Sequence, residues 1–188
     1  MPRRSIPLLF ALLIAGAVDV SATTMVASSL EKLLAGSESV VHATTVATRS
    51  EWDAHRRILT VATVRVLEDW HGSAAPGSEI EIASFGGVKD GIAMKVPGAP
   101  RFTPGEEVVL FLGRAPNGAL GVVDMAQGKF EITRAEDGGS TLNRRDLAEV
   151  EWVGGEAESV LSLSSLHERV SELSRRLRRT GGLQGGAR

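Results

Sequence analysis

The chain has 188 residues, with 21 Lys or Arg against 23 Asp or Glu and no cysteine. That near-neutral balance argues against non-specific nucleic-acid binding, which needs an excess of cations to neutralise phosphate. The absence of cysteine excludes disulfides, thiol catalysis, cysteine-based zinc sites and lipid attachment through a thiol, so a hydrophobic core must hold the fold.

The first residues have the layout of a secretory signal. Pro2-Arg3-Arg4 is the positive segment, Ile6 to Val18 is apolar and uncharged, and Val20-Ser21-Ala22 supplies small residues for a peptidase. Cleavage is therefore expected between Ala22 and Thr23. As a helix, an apolar run of about 13 residues reaches only about 20 Å, short of a bilayer core. No later stretch is long and apolar enough to span a membrane. The mature chain is expected in the periplasm or outside the cell, as a monomer.

Ser28 to Gly36 predicts a short helix, capped by Ser28 or Ser29, with Leu30, Leu33 and Leu34 on one face and Gly36 as a left-handed stop. The period then changes to 2. Val40 to Thr48 and Ile58 to Leu67 predict strands, the second with Ile58, Thr60, Ala62, Val64 and Val66 on one face. Ser50 to Arg57 is the polar connection between them and carries Trp52 and His55. Glu79-Ile80-Glu81-Ile82 alternates, charge outward and isoleucine inward.

Three turn signals follow. Asp90-Gly91 lies between Val88 and the run Ile92 to Val96, and Asn117-Gly118 lies between Val108 to Leu112 and Leu120 to Val123. Both dipeptides tolerate the positive φ of a two-residue hairpin turn. Asp137-Gly138-Gly139 follows a strand over Lys129 to Thr133. Val108 to Leu112 is apolar on both faces and predicts a central, doubly buried strand, with Pro104-Gly105 turning into it. Short strands at this spacing, joined by Gly-rich turns, predict a mainly β domain over 23–153, a small antiparallel (OB-like) barrel or sandwich.

A linker is expected over 154–161, then an amphipathic helix over 162–180 with Leu163, Leu166, Val170, Leu173 and Leu177 as its stripe. Ser165 with Glu168 fits a capping box, and Glu172 with Arg176 an i,i+4 pair. Arg175, Arg176, Arg178 and Arg179 crowd the negative end, where the helix dipole favours cations. Gly181 is expected to stop the helix, leaving 181–188 as a disordered tail.

No catalytic signature emerges. There is no Gly-x-Ser-x-Gly elbow, and Ser37, Ser73 and Ser140 sit in turn contexts. His42, His55, His71 and His167 lack metal-ligand spacing, and His167-Glu168 has no second histidine to complete a helical zinc motif. His55 and His71, with Asp53 or Asp69, could still meet in space as a metal site. Gly128-Lys129 is not a phosphate loop, because Val123 replaces the required glycine and Phe130 the Ser or Thr. With no tyrosine, five Phe and three Trp, a base-stacking or sugar-binding platform is not indicated. No cofactor, metal ligand or catalytic residue is assigned.

The segment Phe85 to Glu106 stands apart. It interleaves Gly86-Gly87, Asp90-Gly91, Pro97-Gly98, Pro100 and Pro104-Gly105 with Val88, Ile92, Met94, Val96 and Phe102. Loops of this length in a compact domain are usually functional or disordered, and the apolar alternation favours order. A hairpin folded over one end of the barrel is expected, with Met94 and Val96 near its outer end. Gly86, Gly87, Val88, Ile92, Met94, Val96 and Phe102 are the candidate contact residues.

The run Gly86-Gly87…Val96-Pro97-Gly98…Phe102-x-Pro-Gly-Glu…Val109-Leu110-Phe111-Leu112, followed by Met125-Ala126-Gln127-Gly128-Lys129-Phe130, resembles a family of uncharacterised exported bacterial proteins. The likeness covers roughly residues 28–177, with Ser39-Val40-Val41 and Thr60 to Val66 upstream. It implies an OB-like barrel comparable to that of metalloprotease inhibitors and, through members beside genes for matrixin-like metalloproteases, a protease as partner. The amino-terminal cysteine with which animal inhibitors of that kind chelate zinc has no counterpart in this chain, so that mechanism does not carry over.

The expected function is thus a non-enzymatic, exported binding module that contacts another exported protein. Two other classes stay open: a metal-dependent hydrolase using His55, His71 and nearby carboxylates, and a structural envelope protein.

Overall fold

The structure is a computed structural model that describes residues 23–115, 117–136, 138–148, 150–153 and 162–184. The expected signal peptide, the linker over 154–161, the last four residues of the expected tail and Asp137 of the third turn signal lie outside the described residues.

The chain is mainly β. In order it forms β1 (Thr23–Val26), α1 (Leu30–Ala35), β2 (Ser39–Trp52), β3 (Ile58–His71), β4 (Glu79–Phe85), β5 (Gly87–Lys89) and β6 (Ile92–Met94). Then come β7 (Glu107–Arg114), β8 (Leu120–Val122), β9 (Lys129–Arg134), β10 (Ser140–Asn143), β11 (Val150–Val153) and α2 (Leu163–Gln184). Short 3-10 turns occupy Met125–Gly128 and Arg145–Leu147.

A seven-stranded antiparallel sheet runs β10-β9-β7-β2-β3-β4, with β8 also on β7. β8 faces Leu112 to Arg114 and β9 faces Glu107 to Leu110, so the two continue one another along the same edge of β7. Register slips in the β2–β3 ladder at Val40/Val41, His42/Ala43 and Thr45/Ala47 bend these long strands, as bulges do. The sheet curls until β4 approaches β8, where a Cβ on Gly121 would lie 3.4 Å from the Ala83 carbonyl oxygen. Among the described residues no ladder joins β4 to β8. The barrel is therefore open, and the sandwich-like alternative fits better than closure.

Alternation along the strands builds two cores. Val41, Ala43, Ala62, Val64, Val66, Ile82, Val108, Leu110 and Leu112 point into the curl, with Phe102 closing it. Val40, Trp70, Val109, Phe111, Phe130 and Ile132 point to the other face, covered by Leu30, Leu33 and Leu34 of α1 and Leu166, Val170 and Leu173 of α2. β7 is thus buried on both faces, as its unbroken apolar run predicts. β1 and β11 form a separate parallel pair, and β5 and β6 a separate hairpin.

Several local expectations change. Ser29 caps α1, accepting from the Lys32 backbone N–H at 3.3 Å, but Gly36 has φ −85° and is not left-handed. Its requirement is close packing, since a Cβ on it would lie 3.0 Å from Val123 Cγ1, and one on Gly113 would lie 2.7 Å from the Gly36 oxygen. Asn117-Gly118 lies inside a longer loop between the paired Arg114 and Leu120, not in a two-residue turn. The cap of α2 is Ser162, whose Oγ accepts from the Ser165 N–H at 3.1 Å, three residues before the expected capping box. The helix continues through Gly181 to Gln184. Leu177 is 43 % exposed, because the stripe runs past the sheet it covers.

Candidate functional site

Phe85 to Glu106 folds over one end of the curled sheet. Gly86 and Gly87 have φ of 105° and 130°, a region closed to most side chains. They also seat the chain on the sheet: a Cβ on Gly87 would lie 2.6 Å from Thr60 Oγ1 and 2.7 Å from Ser50 Oγ. Gly86 N–H donates to the Ile58 carbonyl at 2.9 Å, and Thr60 Oγ1 donates to the Gly86 carbonyl at 2.8 Å.

From this root β5 and β6 project as a hairpin. Lys89 pairs with Ile92, leaving Asp90 and Gly91 at φ 51° and 75°, the left-handed two-residue turn that the dipeptide predicts. Trp52 Nε1 donates to Asp90 Oδ2 at 2.8 Å and ties the tip to the end of β2. Val88 is 65 % exposed, Ile92 55 % and Phe85 47 %, and the Arg57 guanidinium lies 4.6 Å from the Phe85 ring centre.

The candidate contact residues divide. Val88 and Ile92 stand in solvent, while Gly87, Met94 and Val96 are partly buried and Gly86 is buried. Met94 pairs with Gly87 at the base of the hairpin, so the expectation that Met94 lies near the outer end is corrected. Phe102 is packed in the sheet's interior core and is removed from the contact surface, because the loop carrying it tucks under the hairpin.

Two cavities flank Phe85. One, of about 440 Å³, is walled by Thr48, Arg49 and Ser50 on one side and by Ala93 to Phe102 on the other. The second, of about 540 Å³, lies between the β2–β3 loop and the β7–β8 loop and is lined by Asp53, His55, Arg57 and Leu120 among others.

Beneath the first cavity lies a charged cluster that sequence reasoning missed. Lys129 Nζ, with its side chain only 2 % exposed, lies 3.1 Å from Glu106, 3.1 Å from Glu131 and 3.2 Å from Asp146. It also donates to the Arg101 carbonyl and sits 5.4 Å from the Phe102 ring centre. Asp146 accepts from the Arg101 backbone N–H at 2.9 Å and from its guanidinium at 2.8 Å, and Arg145 pairs with Glu131. Burial pushes the Asp146 carboxyl up, but the N–H and guanidinium of Arg101, with Lys129, outweigh it and hold the group below the usual carboxylate range. The cluster pins the loop under the hairpin to the sheet.

The histidines do not converge. His55 is in the β2–β3 loop, where Asp53 accepts from its backbone N–H at 2.9 Å. His71 ends β3, and its Nδ1 lies 3.1 Å from Ser174 Oγ on α2. The 14 residues of β3 separate the two, roughly 40 Å along an extended strand. The expected His55–His71 metal pair is therefore corrected: one site cannot hold both. Asp69 stands near His71 and contacts Ser39 Oγ at 3.5 Å, far from Asp53. Among the described residues no group of three His, Asp or Glu is placed to hold a metal ion. His42 is buried with its ring centre 6.1 Å from that of Trp70 and its Nε2 2.7 Å from Glu107 Oε1, and His167 of α2 stacks on Trp70 at 4.6 Å. The Arg134 guanidinium, with His42, holds the Glu107 carboxyl below its ordinary range against the opposing effect of burial.

No protein-family model and no curated protein matches this chain.

Proposed function

We propose that the protein is an exported, non-enzymatic binding module that contacts another exported protein through the sheet end carrying Phe85 and the β5–β6 hairpin. The observation that carries this reading is the exposure of Phe85 at the end of β4 and of Val88 and Ile92 on the two faces of the hairpin that follows, which is rooted by two glycines and tied at its tip by Trp52. A pre-shaped apolar projection loses little conformational freedom on binding. On the strength of the family resemblance, a metalloprotease is the first partner to test.

The double substitution Val88→Asp and Ile92→Asp tests the reading. Both side chains face solvent, so the melting temperature should stay nearly unchanged. Capture of a specific exported protein, measured by quantitative mass spectrometry against the wild type, should be lost. Capture that survives with the fold intact places the contact elsewhere. A variant that unfolds makes the hairpin part of the core.

A further inference from the structure

We propose that the end of α2 that overhangs the sheet is a peripheral contact for an anionic phospholipid surface. α2 has 22 residues and so spans about 33 Å, but its burial against the sheet ends at Leu173 and Ser174. From Arg175 to Arg179 every residue is exposed. Successive helical residues are turned by about 100°, so this stretch is open on all sides and stands clear of the sheet.

All of these five residues except Leu177 are arginine. Arg176 pairs with Glu172 and is left out of the site. Arg175 Nε donates to the Ser171 carbonyl at 3.3 Å. Among the described residues no carboxylate lies within ion-pair distance of Arg175, Arg178 or Arg179. These three stand at i, i+3 and i+4 and share one helix face, opposite the stripe of Leu166, Val170 and Leu173 that docks the helix.

Helix stability does not account for them. Like charges at this spacing destabilise a helix. The helix dipole acts only within the last turn, and the helix runs on to Gln184 with no basic residue in that turn. The expected dipole role of these arginines is therefore corrected. Their mutual repulsion is relieved only by an anion from outside.

Charge and position select that anion. The last sixteen residues carry five of the chain's 21 basic residues and none of its 23 acidic ones, so the rest of the chain is net negative. A long soluble polyanion leaving the helix end meets that repulsion. A lipid surface approached by the overhanging end meets the arginines first, with the acidic body screened beyond about 8 Å at physiological salt. Each arginine at an anionic bilayer strengthens binding about fivefold, so three give about a hundredfold. That is reversible adsorption.

The test is co-sedimentation of the chain from Thr23 onward, which lacks the apolar leader that would itself bind lipid. The vesicles are phosphatidylcholine alone, or phosphatidylcholine and phosphatidylglycerol in equal parts. Binding to the mixed vesicles at low salt is expected, with little to phosphatidylcholine alone and release at about 1 M salt, where screening is nearly complete. Replacing Arg175, Arg178 and Arg179 together by Gln should weaken binding about a hundredfold with the melting temperature nearly unchanged, and replacing the three by Lys should retain it. No binding to the mixed vesicles, equal binding to phosphatidylcholine alone, equal binding by the Gln variant, or loss in a folded Lys variant overturns the proposal. Inorganic polyphosphate that stays bound at a salt concentration that frees the protein from vesicles also overturns it, and makes a soluble polyanion the occupant.

Discussion

Lys129 is the residue whose setting is furthest from what its neighbours in the chain suggest. Lys129 and Glu131 alternate with Phe130 and Ile132, which reads as a strand with one solvated face. In the fold both faces are covered: the helices cover Phe130 and Ile132, while Phe102, Arg101 and the 145–147 turn cover Lys129 and Glu131. Removing one partner of a buried ion cluster leaves the others uncompensated and costs about 3–5 kcal/mol. Lys129→Met should accordingly lower the melting temperature at pH 7 by on the order of 10 °C for a domain of this size. The Asp146 carboxyl is held below its ordinary range, so its contribution is present above the unfolded value near 3.9 and is lost as pH falls through the folded value. Wild-type stability should therefore drop on acidification below about pH 4, and the gap to Lys129→Met should narrow there. Thermal melts at pH 7 and pH 3 check this; an equal gap at both would assign the loss to packing alone.

At the scale of elements, α2 is docked on the sheet and is not a free coiled coil. Leu166 and Val170 are fully buried on Trp70, Phe111 and their neighbours. The short stripe could not form a stable autonomous seam. Truncating a buried leucine costs about 2–5 kcal/mol. Leu166→Ala should lower the melting temperature by several degrees or more, and Leu177→Ala, at an exposed position, should barely change it. Differential scanning calorimetry of both variants decides, and equal effects would mean that the helix is not held by this stripe. Most elements were legible because their period or turn chemistry is local, as with the apolar run of β7 and Asp90-Gly91. β1 and β11 were not: each has four residues, too few for a period, and they become strands only by pairing across the chain.

For the whole molecule, the open curl of the sheet follows from where pairing stops. β7 leaves β2 at Thr44, and β4 reaches β8 without a ladder between them, so one end keeps free edges and cavities beside the proposed contact. The proposed export makes a check at the same scale. Thr23, the residue that cleavage after Ala22 would expose, is the first of β1 and pairs with Val150. Amino-terminal sequencing of exported protein should begin at Thr23. A start beyond Met25 would delete most of β1 and refute the assignment.

The chain alone determined the mainly β class, the two helices, the doubly buried strand and the hairpin, because hydrophobic period and turn residues act over a few neighbours. Tertiary structure decided whether the barrel closes, that Phe102 is core and Met94 basal, that His55 and His71 stand at opposite ends of one strand, and that Lys129 is buried among carboxylates. Each of these depends on which distant segments cover a face or extend a strand, and contacts of that kind leave no periodic trace in the residues that make them.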